Sequence, residues 1–308
     1  MNYKTKEEPV VTILIITYNS EDFVLQTLKS AKAQTYSNIQ LIISDDGSTD
    51  KTIFIIKKWL ENNSKYFKEA MLVTTDVNTG INENCNRGLN KAKGEWVKLI
   101  AGDDILANDC IEQNIDFINS NYHLPKLIVS QIVPFKNFEK FDLSTVKPKG
   151  THEIFHEYSS AERQFELLIR GKFINGASAF YNLKILREMG GFTNQVRSLE
   201  DYPTFLYFTL KGNKIYFLKK ATVYYRIHEK SESHRVNGQV LSLFIKDVVE
   251  LMVRYSKLKK SRWLILNSYW NKYLVSLIFI FGNRGKLVSF LNYCREKFSP
   301  IRLKKVLP

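Results

Sequence analysis

The chain has 308 residues, 44% of them hydrophobic, which is enough for one large domain or a domain with an appendage and excludes a disordered or fibrous protein. Its three cysteines, Cys85, Cys110 and Cys294, stand far apart with no CxxC pair. That excludes a zinc ribbon or disulfide framework and points to a reducing, cytoplasmic compartment.

The formal net charge of +14 is uneven: residues 237–308 carry 14 Lys and Arg against 3 Asp and Glu. Such asymmetry fits an anionic partner (a membrane surface, nucleic acid or an acidic protein face), or else a solvated helical surface. Met1–Pro9 lacks the apolar run of a signal peptide. No segment reaches the ~18 uninterrupted apolar residues of a membrane span. Trp263–Phe281 comes nearest and is broken by Asn267, Asn271 and Lys272.

In chain order, Val10–Thr17 is apolar and β-branched, the pattern of a strand covered on both faces. Tyr18-Asn19-Ser20 breaks it. Glu21–Gln34 has helical spacing, with Ser20 as the expected N-cap. The pattern repeats: strand Ile39–Ser44, turn Asp45-Asp46-Gly47-Ser48-Thr49-Asp50, helix Thr52–Asn62, strand Ala70–Thr75, then Asn78-Thr79-Gly80 leading into a helix through Ala92. Glu95–Ala101 is a fourth strand and runs into Gly102-Asp103-Asp104. Alternation of this kind predicts an α/β fold with an open, mostly parallel sheet and right-handed crossovers. Ligands bind such sheets beyond the carboxyl ends of the strands, where Tyr18-Asn19, Asp45-Asp46 and Asp103-Asp104 all fall.

Adjacent aspartates at the end of a buried strand repel each other and lose hydration, and a divalent cation with oxygen ligands offsets that cost. Gly-Asp-Asp is equally ordinary turn chemistry. The residues alone leave both readings open. There is no GxGxxG after the first strand and no GxxxxGK[ST], which argues against a standard dinucleotide or P-loop cradle.

Further on, the spacing predicts a helix over Asn108–Ser120, a strand over Leu127–Pro134, a loop over Lys136–Gly150 and a helix over Ser160–Arg170. Phe173–Phe180 holds the small-residue run Asn175-Gly176-Ala177-Ser178-Ala179, where backbone and ligand can approach closely. Gly190-Gly191-Phe192 ends a short helix. Ser198–Pro203 opens another, to about Leu210, and Lys214–Phe217 and Ala221–Arg226 read as two strands. The C-terminal segment has a helical pattern over Leu241–Tyr255, a basic cluster at Lys257–Arg262, the aromatic-rich Trp263–Phe281 and a second basic run, Lys286–Lys305. Aromatics among basic residues suit the headgroup region of an anionic membrane. A helical bundle packed on the N-terminal part, or mediating dimerisation, is the alternative.

Six ordered elements together resemble family 2 glycosyltransferases over roughly residues 10–235. They are Ile15-Ile16-Thr17-Tyr18-Asn19-Ser20 with Ser44-Asp45-Asp46-Gly47-Ser48; Asn78-Thr79-Gly80 with Asn86-Arg87-Gly88 and Gly94-Glu95; Gly102-Asp103-Asp104; Gly190-Gly191-Phe192; Glu200-Asp201; and Tyr225-Arg226-Ile227-His228. The resemblance implies a GT-A fold over residues 1–236, with 237–308 as a helical appendage. It also implies inverting transfer of a sugar from a nucleotide-diphospho-sugar, with a UDP-sugar favoured and Mn2+ or Mg2+ as cofactor. The acceptor is expected to be a hydroxyl of a glycan or lipid-linked precursor in cell-surface polysaccharide synthesis. Ala101 stands where the family commonly has a further acid, one that usually contacts the ribose.

The same resemblance implies roles. Asp103 is expected as the main metal and diphosphate ligand on the turn at Gly102, with Asp104 second and His228 a further ligand. Thr17, Tyr18, Asn19, Asp45 and Asp46 would surround the base. Arg87 would reach the diphosphate or form a local salt bridge, and Arg226 would pair with phosphate. Asp201 would act as general base with Glu200 beside it as an acceptor contact. The expected partners are the donor, the acceptor and an anionic membrane surface, with no nucleic acid and with a homo-oligomer open. The expected location is cytoplasmic and peripheral on the inner face of the plasma membrane. Two other functions compete. A sugar nucleotidyltransferase calls for a Gly- and Arg/Lys-rich loop that Thr17-Tyr18-Asn19-Ser20 lacks. A catalytically silent binding subunit is opposed by the joint presence of Asp103, Asp104 and Asp201.

Overall fold

The computed structural model describes residues 8–136, 141–148, 153–156, 159–196, 199–228 and 238–281, with short pieces at 289–291, 293–294 and 299–300. The polar extreme N-terminus, His152, Ser198, His234 and most of Lys286–Lys305 lie outside these residues.

Every residue of Val11–Thr17 (β1) is buried, as its unbroken apolar pattern requires. Alternate side chains enter opposite cores. Leu14 and Ile16 join one with Ile42, Val97 and Phe165; Ile13 and Ile15 join the other with Leu41, Ile43 and Ile111. β1 pairs in parallel with Ile39–Asp45 (β2) and Trp96–Ala101 (β4), and β2 pairs in parallel with Glu69–Thr74 (β3). The crossovers are Val24–Lys32 (α1), Thr52–Asn63 (α2) and Ile81–Leu89 (α3). The register sets Thr17 opposite Asp45 and Ile16 opposite Ala101, so three strands end level at one rim.

The second half adds Ile105–Leu106 (β5), Cys110–Ser120 (α4), Leu127–Phe135 (β6), Ala161–Ile169 (α5), Phe180–Asn182 (β7), Leu183–Glu188 (α6), Asp201–Leu210 (α7) and Tyr216–Arg226 (β8). The sheet runs β3-β2-β1-β4-β7-β6-β8-β5. β7 is antiparallel to both β4 and β6, β6 and β8 are parallel, and β5 is antiparallel to β8.

Two local expectations are corrected. Lys214–Phe217 and Ala221–Arg226 belong to a single strand, because the shift in register near Gln131 absorbs the exposed Lys219-Lys220 step instead of ending the strand. Ser20 does not cap α1 with its side chain. Its N–H and that of Glu21 are taken by Thr52 Oγ1 and Asp50 Oδ2 of the neighbouring loop, and the helix starts at Val24.

Gly238–Leu258 (α8) and Arg262–Phe281 (α9) pack on each other. Val248, Leu251, Met252 and Tyr255 of α8 enter the same core as Phe165, Tyr202 and Phe205. Among the described residues no helix is long and apolar enough to cross a membrane.

Candidate active site

The loops after β1 and β2 are stitched together by their own polar groups. Asn19 takes a positive φ of 48°, a conformation that Asn tolerates. Its N–H donates to Ser48 Oγ, and its Oδ1 accepts the N–H of Thr49. Asp45 is fully buried and accepts from Thr17 Oγ1 at 2.7 Å, Ser48 N–H at 2.8 Å and Ser48 Oγ at 2.6 Å. Asp46 accepts the N–H groups of Thr79 and Gly80, the Thr79 hydroxyl and Arg87 Nη2, the last at 3.1 Å. Both carboxylates commit their oxygens to these loops and so shape the floor of the rim. Arg87 takes the local alternative, with further bonds to Asn84 and to the Asp45 and Thr79 oxygens. Tyr18 is 46% exposed and is the group at this rim able to offer a ring face.

The turn after β4 splits its two aspartates. A Cβ on Gly102 would stand 2.6 Å from Thr17 Cγ2, so glycine lets this turn close against the end of β1. Asp103 faces the rim, with Oδ2 2.9 Å from His228 Nε2, and both side chains are partly exposed. Asp104 turns inward: Oδ1 accepts the Arg226 N–H at 2.8 Å, and its main-chain oxygen accepts from Thr27 Oγ1. Burial, and then the Asp103 charge, hold the Asp104 carboxyl well above the usual range. Arg226 also differs from expectation. Its guanidinium lies between the rings of Phe23 and Phe135, at 4.8 and 4.6 Å. Its Nε donates to Asp103 O at 2.7 Å and its Nη2 to Gln26 Oε1. Arg226 therefore braces the Gly102-Asp103-Asp104 turn from behind.

Among the described residues no three His, Cys, Asp or Glu side chains converge as a metal site. Asp103 and His228 still fit a divalent ion. Neighbouring ligands about 2.1 Å from an octahedral ion lie roughly 3 Å apart, the spacing this pair already has. An ion that also takes phosphate oxygens needs few protein ligands.

Glu200 and Asp201 stand at the start of α7. Asp201 Oδ2 accepts the Gly176 N–H at 3.0 Å, and Oδ1 accepts the N–H of Tyr202 at 2.6 Å. A Cβ on Gly176 would collide with Asp201 Oδ2 at 2.3 Å, which is why the small-residue run needs glycine there. Both acids keep some open surface, yet burial and the Asp201 charge push Glu200 up to about 8. Burial raises Asp201 too, against the opposing pull of the Tyr202 and Gly176 N–H groups. Burial, and then the charges of Glu200, Asp46 and Asp201, push the Cys85 thiol up. A cavity of about 270 Å³ opens next to Asn175, walled by Phe155, Phe173, Ile174 and Phe217.

Residues that build the site and had no expected role are Gln26, Phe23 and Phe135 around Arg226, and Asn84 around Arg87. Periodicity marks Phe23 only as a buried helix position, and nothing local pairs Gln26 with a residue 200 positions away.

A sheet of this order, with acids and polar loops gathered at the ends of β1, β2 and β4, has the GT-A fold. The chain belongs to glycosyl transferase family 2, whose family model matches residues 12–190. An uncharacterised glycosyltransferase of Rickettsia typhi, RT0329, is 24% identical over 289 residues, 92% of this chain and 83% of that protein. One from Haemophilus influenzae is 37% identical over 114 residues, 37% of this chain and 44% of its own length. Among solved structures, Staphylococcus aureus TarS 1–349 in complex with UDP-GlcNAc has a TM-score of 0.57 at 17% identity, covering 86% of this chain and 81% of that one. The Pyrobaculum calidifontis mannosyltransferase PcManGT in complex with GDP-Man and Mn2+ has a TM-score of 0.57 at 15% identity, covering 97% and 84%. At these identities the two structures speak for the shared fold.

Proposed function

We propose that the enzyme transfers a sugar, with inversion, from a UDP-sugar to a hydroxyl of a glycan or lipid-linked glycan precursor, in the synthesis of a cell-surface polysaccharide. Residues 1–236 form the catalytic unit. The observation that carries this reading is Asp201: a raised carboxylate held by two backbone N–H groups, next to an acid that shares its pocket. Such a group takes the proton of the acceptor hydroxyl as its oxygen attacks the anomeric carbon opposite the leaving nucleotide. Glu200, raised to about 8 and so holding its proton near neutral pH, donates to the acceptor, while Asp201 takes the acceptor's proton. The neighbouring cavity, lined by Phe155, Phe173 and Phe217, takes the acceptor.

Asp103 and His228 are the residues that would hold Mn2+ or Mg2+. When bound, the ion neutralises charge on the departing diphosphate. Tyr18 stacks on the base, and Thr17, Asn19, Asp45, Asp46 and Arg87 keep the rim in shape beneath it. UDP is the nucleotide that the family resemblance favours; TarS is seen with UDP-GlcNAc and PcManGT with GDP-Man, so both nucleotides belong in the test. Turnover of a nucleotide-sugar panel with Mn2+, followed by nucleoside diphosphate release, checks the reading. One UDP-sugar is expected to turn over, with EDTA abolishing the reaction and Asp201→Asn losing it while UDP binding persists. Full activity in Asp201→Asn would sink the base assignment.

The C-terminal segment, residues 237–308, holds the enzyme at the inner face of the plasma membrane. On the outer side of α9, Leu266, Tyr269 and Tyr273 are 53%, 45% and 61% exposed at helical spacing, and Lys257 Nζ lies 5.3 Å from the Tyr269 ring. Basic residues beside such a stripe suit anionic headgroups. The double variant Tyr269→Ser, Tyr273→Ser is expected to sediment several-fold less with phosphatidylglycerol vesicles, at unchanged donor hydrolysis. Sedimentation equal to wild type removes the stripe from the membrane contact.

A further inference from the structure

Lys98 lies in the middle of β4, fully buried within an otherwise apolar strand. Its Nζ donates to the carbonyl of Ala177 at 2.6 Å and more weakly to that of Ala179 at 3.4 Å. Burial pulls its pKa down to about 8, with Cys110 and Asp104 opposing the shift, so the ammonium is mostly charged at neutral pH. A buried ammonium is costly to keep and is retained where its hydrogen bonds have a use.

The location supplies one. β7 pairs with β4 only at Trp96–Lys98 and with β6 only at Leu127–Ile128. Above that row no strand separates β4 from β6, and the turn Gly176–Ser178 contacts both strands there. Four side chains hold the turn, among them Asn175, whose Oδ1 accepts the Ala177 N–H at 2.9 Å. Ser178 Oγ donates to Ser130 O at 2.9 Å and accepts the Ser130 N–H at 3.0 Å. Asp201 accepts the Gly176 N–H at 3.0 Å, and Lys98 takes the next carbonyl, that of Ala177. Consecutive residues of one short turn thus meet the candidate base and the buried ammonium.

We propose that Lys98 is a positioning residue for the transfer step: it fixes the Gly176–Ser178 turn so that the Gly176 N–H holds Asp201 in its working place. This inference rests on the reading of Asp201 as base. Lys98 touches no reacting atom and acts through the turn. Methionine in its place fills similar volume but leaves the Ala177 carbonyl without its donor. The turn then relaxes, and with it the carboxylate. A displacement of the order of 1 Å at a reacting group costs roughly 100-fold in rate, so even part of that shift is measurable.

The test uses the full chain, Mn2+ and the UDP-sugar that turns over, with UDP release for kcat and donor KM, and calorimetry for UDP affinity. Lys98→Met is expected to lower kcat by about tenfold or more, with donor KM and UDP affinity close to wild type. Lys98→Gln, which keeps an N–H donor, is expected to recover part of the loss. Wild-type kcat in Lys98→Met overturns the inference, as does a parallel fall in kcat and UDP affinity, the mark of a general structural lesion. If Lys98→Met does not fold, Lys98→Gln decides: reduced kcat with UDP affinity kept supports the proposal, and wild-type kcat ends it. Asp201→Asn runs alongside. Full activity there removes the base reading and this inference together, whereas an inactive Asp201→Asn beside a fully active Lys98→Met removes only the role of Lys98.

Discussion

Asp45-Asp46 and Glu200-Asp201 are two pairs of neighbouring acids, both near α3, both largely withdrawn from water. At the first pair every carboxylate oxygen is met by donors, from Thr17, Ser48, Thr79, Gly80 and Arg87. At the second, no Lys or Arg answers the charge among the causes that set it. Asp201 has two backbone N–H groups, and Glu200 is driven up by burial and by its neighbour. A saturated carboxylate is scaffold, because its lone pairs are committed to holding loops. A carboxylate left basic has a use for a proton. Asp103 and Asp104 repeat the contrast within one dipeptide: Asp103 faces the rim with His228, and Asp104 holds the backbone of Arg226.

Breaking the second pair should cost the most activity. Asp201→Asn is expected to lower kcat by roughly 100- to 10,000-fold, with UDP affinity by calorimetry little changed. Breaking the first pair should cost stability instead. Asp46→Ala leaves Arg87 and the Thr79-Gly80 N–H groups without their acceptor, and loss of one partner of a buried pair costs about 3–5 kcal/mol. Urea unfolding checks this, and a loss under 1 kcal/mol would show that Asp46 is not the keystone of the rim. His228→Ala should raise the Mn2+ concentration for half-maximal turnover by about tenfold; an unchanged Mn2+ titration removes His228 from the metal site.

The smallest effect is one of pH. Glu200 is raised from its ordinary 4.5 to about 8, so between those values the unfolded chain has released a proton that the folded chain keeps. Stability therefore falls as pH rises through that window. Glu200→Gln removes this slope, and its melting temperature is expected to gain more on wild type at pH 8 than at pH 5. Equal differences at both pH values would place Glu200 in ordinary solvent. With Asp201 proposed as the base, donor turnover is expected to rise with pH as that raised carboxyl loses its proton.

The strands of the parallel half were legible because Val10–Thr17, Ile39–Ser44 and Glu95–Ala101 are apolar for most of their length, and two covering layers leave no other arrangement. Their common rim followed from the ends of those runs. Side-chain direction at the rim was not legible. Asp45, Asp46 and Arg226 have the residue types of ligand contacts, yet Arg226 is enclosed by Phe23, Phe135 and Gln26 from distant parts of the chain. Lys98 received no role in the strand Glu95–Ala101, and its partner, the Ala177 carbonyl, is 79 residues away with no side-chain signature.

The sequence by itself determined the alternation of strands and helices, the family, and the placing of Asp103 and Asp201 at loop ends, since periodicity and turn chemistry are local properties. Tertiary structure decided which acids were neutralised by donors and which kept a raised pKa. That outcome depends on which backbone N–H groups, cations and apolar walls the register of the sheet brings within about 3 Å.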